Sequence, residues 1–327
     1  MTDGVCVVAR DELPSQATSA VLEGAVVAIT RQAAIEITGP GAIPCLQGLV
    51  TADVDKPGDM SFLYGALLTA KGMIVSDMWI ERRDPFLVLY MAQHRKDEVL
   101  TTLERSLPPR LAQFADRSDN VGIVRLTGPR TFDVVARAGL DTPQPGNVAT
   151  VEHVTVARPA LGYPFALQCV GDIGSIDQVR SSLTEAGAIE TPYAALHLPR
   201  ILAGWPFSGA EIDTKTLPQE VRFDDLNGVS HSKGCYLGQE TVARLHFRGH
   251  TNRRILGLRF AGAPDPTMSS IAHEDRRVGR LTSVAWYGHN IGYLGLGMIR
   301  REIEIGRTVS AGGVSAVTES LPIEVGT

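Results

Sequence analysis

Apolar and polar residues alternate from Ala25 to Ile37: Val26, Val27 and Ile29, then Ala33, Ile35 and Ile37. That period of two predicts a strand. Thr38-Gly39-Pro40-Gly41 ends it, because proline and glycine break a ladder and suit a turn. Ile43, Leu46 and Val50 then recur at helical spacing. Met73 to Ile80 and Phe86 to Met91 read as strands, and Val99, Leu100, Leu103 and Leu107 as one face of a helix. The design then returns. Ile123, Val124 and Leu126 lead into Thr127-Gly128-Pro129, and Phe132, Val135, Ala136 and Leu140 follow with helical period. Val151 to Ala157 and Phe165 to Val170 are strand candidates, and Ile176, Val179 and Leu183 mark another helix. The pattern predicts a duplicated strand–helix–strand–strand–helix lobe.

Residues 1 to about 20 show no periodicity and read as a mobile lead-in. A connector punctuated by proline and glycine runs from Pro192 to Asn227 and carries Trp205, Glu211, Glu220, Asp224 and Asp225. Beyond it come short β candidates rich in glycine: Ile255 to Phe260, Val278 to Trp286, Gly292 to Ile299 and Thr308 to Val317. They predict a small antiparallel barrel or sandwich. The expected class is α+β, with a core over 20–245 split into lobes at about 20–120 and 121–245, and a carboxyl-terminal barrel over 246–327.

Composition narrows the function classes. The 327 residues are 44% hydrophobic and 20% charged, ordinary for a globular chain able to bury a large core. A net charge of −5 gives no general attraction to nucleic acid. No apolar run reaches the ~18 residues of a membrane span, and the amino terminus has neither a secretory h-region nor an acid-poor presequence. A cytoplasmic protein with no nucleic-acid or membrane partner is expected. Four cysteines, Cys6, Cys45, Cys169 and Cys235, show no metal-ligand spacing. Cys45 and Cys169 sit in apolar company as core thiols, and Cys6 falls in the lead-in.

Cys235 differs, lying within Lys233-Gly234-Cys235-Tyr236-Leu237-Gly238-Gln239-Glu240. Gly234 and Gly238 allow a tight backbone path and close approach of a ligand. A short helix from Gln239 through Leu245, with Val242 and Leu245 inward, places the thiol near a helix amino terminus and near Lys233. Both features favour thiolate over thiol. Locally, a reactive thiol and a structural turn cysteine are equally good readings. Arg244, His246, Arg248, His250, Arg253 and Arg254 form a basic stripe, suited to an anionic tail or simply a solvated face. Asp97 opens a helix, where a carboxylate complements the dipole, and His94 reads as a surface or satisfied histidine. No P-loop is present, and Gly292 to Gly297 lacks the helix that a dinucleotide fingerprint needs.

The eight-residue segment resembles the hallmark of YgfZ-type folate-binding proteins. The likeness continues through Val242-Ala243-Arg244 and Phe247-Arg248-Gly249, and appears at Ile37-Thr38-Gly39, at Leu46 to Val54 and at Leu67 to Gly72. That family is similar in fold to the T-protein, the aminomethyltransferase of glycine cleavage. The resemblance implies two interleaved α+β lobes and a β-barrel around a tetrahydrofolate channel. It also implies a role in assembling or repairing iron–sulfur clusters, with folate (polyglutamylated forms included) and client enzymes or cluster carriers as partners. On this reading Cys235 is the working thiol, holding metal only transiently, since a lone cysteine cannot supply the four ligands of a cluster. Lys233, Gly234, Tyr236, Gly238, Gln239, Glu240 and Arg244 complete the motif, and Asp97 and Trp205 are the folate candidates. The T-proteins carry a glutamate directly before an Ala-Gly pair; here Leu202 precedes Ala203-Gly204. A leucine cannot hydrogen-bond a pterin, which turns the reading from aminomethyl transfer towards an accessory factor. A folate-dependent transferase or demethylase and a noncatalytic folate-binding regulator stand as alternatives.

Overall fold

The computed structural model describes residues 5–8, 13 and 15–325. The first of its three sheets has the order Ser61–Leu68, Ile74–Arg83, Phe86–Ala92, Gln32–Thr38, Gln113–Asp116. One face carries Ile35, Ile37, Met78, Ile80, Leu89 and Met91, which pack on Leu46 of the helix Ala42–Gln47 and on Val99 and Leu103 of the helix Lys96–Ser106. The alternate positions, including Tyr64, Trp79 and Tyr90, point to the molecular centre.

The second sheet repeats the plan, in the order Ile189–Glu190, Val26–Ile29, Gly122–Thr127, Leu167–Gly171, Val154–Ala157, Val148–Val151. Val27, Val124, Leu126 and Cys169 pack outward on the helices Thr131–Arg137 and Ile173–Glu185, while Val26, Ala28, Ile123 and Val170 join the shared central core. The two Thr-Gly-Pro turns are structurally equivalent. Gly39 and Gly128 hold φ of 115° and 108°, and a Cβ on either would stand 2.6 or 2.5 Å from a backbone oxygen. Only glycine meets both demands.

The apolar pattern misplaced several boundaries. Ala25 to Ile37 is two strands, not one, and they belong to different sheets. Val26–Ile29 pairs with Gly122–Thr127 of the second lobe, so the lobes interleave and a cut near residue 120 does not separate the sheets. Each lobe has three strands between its helices, not two. Ser61–Leu68 went unread because it is buried on both faces and shows no alternation. Val151 to Ala157 is a hairpin turning at Glu152, whose φ is 52°.

The third sheet closes on itself. Arg276–Trp286, Ser270–His273, Thr308–Ala311, Val314–Glu319, Arg253–Phe260 and Tyr293–Arg300 form a six-stranded antiparallel barrel, since the first and last also pair. The run Thr308 to Val317 splits at Gly312-Gly313, both with positive φ, which suits a two-residue hairpin turn. The described residues of the lead-in are more ordered than their pattern indicates, the others lying outside the described residues. Cys6–Val8 adds to the barrel as a parallel strand against Ser283 to Ala285, and Ser15–Glu23 is a helix. Burial raises the pKa of the Cys6 thiol, against the opposing charge of Arg200.

Candidate functional site

Two places concentrate functional groups, and they are not the same place. The first is a cavity of about 210 Å³ between the sheets. The first sheet contributes Gln32, Asp77, Trp79 and Tyr90, the second Arg125 with Phe165, and the connector His197, Arg200, Trp205, Phe207 and Ser208. Trp205 reaches the wall because the helix His197–Ala203 ends at Gly204 in the left-handed conformation, φ 65°. A side chain at Gly204 would strike Arg222 and Leu321 at about 2.6 Å. The ring of Trp205 then stacks on Trp79, centroids 5.4 Å apart, and packs on Tyr64 at 4.6 Å.

Asp77 is the half-buried carboxyl of this cavity. Its Oδ2 accepts the Tyr64 hydroxyl at 3.0 Å, and burial pushes its pKa up to about 6 against that hydrogen bond and the charges of Arg95 and Arg125. Arg125 lies 4.0 Å over the Phe165 ring, donates to Gln168 and Gln32, and is lowered by burial to about 10. Burial likewise lowers His197 to about 3, and its Nδ1 accepts from Arg200, which also pairs with Glu211 at 3.0 Å. The walls are flat and aromatic, with a carboxyl at one side: they fit a planar heterocycle whose amino and ring N–H groups donate. A space of this size is below the ~300–1,000 Å³ typical of whole-ligand pockets, and is enough for a ring rather than for a longer molecule.

The second place is the segment Lys233 to Glu240. Cys235 is exposed, as is Gly234 before it. The segment is fixed from behind. Lys233 Nζ donates to Val50 O at 2.8 Å and Ala52 O at 2.7 Å, and lies 5.2 Å over the Tyr236 ring. Burial lowers Lys233 to about 8, while Asp53 opposes the shift. Leu237 N–H donates to Gly48 O, Ser230 N–H to Thr51 O, and Tyr236 N–H to Gln239 Oε1. Gly238 holds φ 81° as the cap of the helix Gln239–Arg248, and a Cβ there would lie 2.4 Å from Thr69 O. Gly234 has open space around its Cβ position and no positive φ, so only Gly238 answers to the tight path expected of both. Tyr236 is buried, its pKa pushed up to about 12 by burial and then by the charge of Asp224. Val242 is buried in the helix, whereas Glu240 and Arg244 are exposed on it.

Several expectations change here. No residue of the segment lines the cavity, so the thiol does not stand in its wall. Lys233 is committed to two carbonyls rather than free beside Cys235, and the thiol precedes the helix by more than its cap residue. Asp97 is exposed in the first turn of its helix and is not among the cavity residues; Trp205 is. Leu202 packs on the central core, and its carbonyl accepts Ile323 N–H at 2.7 Å. Sequence reasoning missed Asp77. Its signal was a carboxylate inside the run Ile74 to Ile80, a polar residue in a buried strand.

The interleaved lobes around a cavity, followed by a barrel, define the class: the chain has the aminomethyltransferase T fold. It superposes on glycine cleavage system aminomethyltransferase T from Bartonella henselae with a TM-score of 0.79 at 18% identity, covering 94% of this chain and 88% of that one. Residues 16–158 match the GCVT N-terminal domain family, and residues 252–324 the CAF17 C-terminal beta-barrel domain family. The chain thus carries a GCVT-like amino-terminal region and a CAF17-like carboxyl-terminal barrel. Curated relatives include the mitochondrial iron-sulfur cluster assembly factor IBA57 homolog of Neurospora crassa, 29% identical over 73% of this chain and 54% of the relative. They also include the tRNA-modifying protein YgfZ of Colwellia psychrerythraea, 27% identical over 76% of this chain and 74% of the relative. The chain thus spans about half the length of the fungal relative and three quarters of the bacterial one. Among the described residues no helix is long and apolar enough to cross a membrane.

Proposed function

We propose that this protein serves the assembly or repair of iron–sulfur clusters in client enzymes, binding tetrahydrofolate in the central cavity and acting on the client through Cys235. The observation that carries the reading is an exposed thiol on a segment anchored by the Lys233 clamp and by Gly238. A thiol that meets another protein must be accessible, and a rigid mount limits the entropy lost on docking. The names of the relatives point to the same work, the fungal one being called a cluster assembly factor.

Folate would enter ring first. Asp77 would accept from the amino edge of the pterin, Trp79, Trp205 and Phe165 would flank its faces, and the glutamate tail would leave towards solvent. The group supplies a one-carbon carrier and a reduced pterin when bound. This chain's part is to hold the ring and keep water from it. Leu202 in place of a carboxylate makes aminomethyl transfer the weaker reading. The YgfZ relatives are named for tRNA modification, but a net charge of −5 and a basic stripe whose Arg253 is already paired with Glu220 favour a protein client over direct RNA contact. Four free thiols suit a reducing compartment, and we place the protein in the cytoplasm.

Cells lacking such a factor are the test. The wild-type chain is expected to restore the activity of their iron–sulfur enzymes, and Cys235→Ala to leave it low; full rescue by Cys235→Ala would remove the thiol role. Calorimetric titration with folinic acid addresses the cavity, and no heat at millimolar ligand would remove the folate.

A further inference from the structure

Beside the motif, and away from the cavity, Asp224, His231 and His246 converge. One ligating atom from each lies within 4.8 Å of the others. Asp224 Oδ1 is 2.9 Å from His231 Nε2, and Asp224 Oδ2 is 3.3 Å from His246 Nδ1. The two imidazoles stack with centroids 3.6 Å apart and planes 20° from parallel. Phe247 stands edge-on to both rings, at 6.2 and 4.8 Å. Three separate stretches supply the donors: the turn after the short helix Pro218–Val221, the approach to Lys233, and the helix Gln239–Arg248. The side chains are 33%, 22% and 36% exposed for Asp224, His231 and His246, so solvent reaches the site without dissolving it.

We propose that Asp224, His231 and His246 bind a divalent first-row transition ion of the iron–zinc class at the surface beside Cys235. Two imidazoles and one carboxylate suit Fe(II) or Zn(II) and do not suit Mg(II) or Ca(II), which prefer all-oxygen shells. Bonds of about 2.0–2.2 Å place neighbouring ligand atoms roughly 3.0–3.5 Å apart. Both carboxylate–imidazole spacings already fall near that range, so binding mainly exchanges the bridging protons for the ion. Three protein ligands leave coordination positions open, which fits an ion that is handed on rather than a structural one. His231 lies four positions before Cys235, a chain reach of roughly 14 Å at most. His246 stands on the helix Gln239–Arg248 that follows the motif directly, so motif and triad are contiguous in the chain on both sides. That the ion is cluster iron rests on the function proposed above, whereas the site itself stands on its own geometry.

Tag-free full-length protein titrated anaerobically with Fe(II), and separately with Zn(II), is expected to take up one equivalent that excess Mg(II) does not displace. His246→Ala and Asp224→Asn should each weaken binding about tenfold or more. His153→Ala, an exposed histidine on the hairpin turn after Val148–Val151, should bind as wild type; because uptake is read on purified protein, its outcome is independent of the cellular rescue that tests Cys235. Paramagnetic broadening of two imidazole signals by Co(II) checks the assignment without any substitution. Undiminished binding in a His231→Ala/His246→Ala double variant, or no binding of any of these ions, would overturn the site. Zn(II) binding without Fe(II) binding would overturn its role in holding iron.

Discussion

The cavity and the motif are built on opposite principles. Around the cavity, charged groups are driven from their ordinary pKa values by burial: Asp77 upward to about 6, Arg125 down to about 10, His197 down to about 3. At the motif the thiol is exposed, and the half-buried group is the clamp behind it, Lys233. A continuous set of contacts joins them. Asp77 accepts from Tyr64, Tyr64 packs on Phe223 at 5.0 Å, Gly228 lies against Phe223, and Thr51 Oγ1 donates to Gly228 O beside the carbonyls that hold Lys233. Binding in a dry site and exchange at a wet one place incompatible demands on one pocket. On the proposed function those demands would be divided between two sites on one frame.

Substitutions should separate those demands. The largest effect is expected from Trp205→Ala, which empties a ring packed on Trp79 and Tyr64. Loss of such a core aromatic costs about 3–5 kcal/mol, readable by urea unfolding, and should abolish folinic acid binding. Lys233→Ala comes next. It removes two charge-assisted hydrogen bonds and leaves the Val50 and Ala52 carbonyls without that donor, at a cost of about 2 kcal/mol for a half-buried site. Ligand affinity at the cavity should hold. If Lys233→Ala instead abolished folinic acid binding in a folded protein, the two sites would be one.

The lobes were legible because apolar alternation and helical period survive wherever an element has one wet face, as at Val99, Leu103 and Leu107. Legibility failed where both faces are buried: Ser61–Leu68 carries no alternation, and the chain's move from one sheet to the other between Ile29 and Gln32 leaves no mark in hydrophobicity. The motif was readable from its residue types, but its mount was not. The partners of Lys233 lie some 180 residues away in sequence, at Val50 and Ala52. Asp97 drew attention as a helix-start carboxylate, whereas Asp77 sits in a strand and gains its unusual pKa only from what folds over it. The Asp224–His231–His246 cluster crosses three elements and has no sequence spacing to find.

Asp77 sharpens the comparison through pH. Its carboxyl titrates near 6 when folded and near 3.8 otherwise, so between those values the folded state holds more proton than the unfolded one. The stability it lends is complete below about pH 4 and is lost as pH rises through 6, on the order of 2–3 kcal/mol. Asp77→Asn should flatten that loss and leave the protein more stable at pH 7, while folinic acid affinity falls about tenfold, or ~1.4 kcal/mol. In the wild type, ionisation that weakens the fold supplies the acceptor for the pterin edge, so affinity should climb across pH 6. A pH-independent affinity would remove Asp77 from ligand recognition.

The smallest effect on the molecule is expected where the effect on the cell is greatest. Cys235 is exposed, and no hydrogen bond fixes its side chain among the described residues. Cys235→Ser should therefore shift stability by no more than ~0.5 kcal/mol and leave folinic acid binding intact. Alkylation with iodoacetamide should reach Cys235 in the native state and spare Cys169, which is fully buried with its pKa pushed up to about 12. Should Cys235→Ser unfold the protein or empty the cavity, the cysteine would be a structural part of the turn, and the division between a dry binding site and a wet working thiol would fall with it.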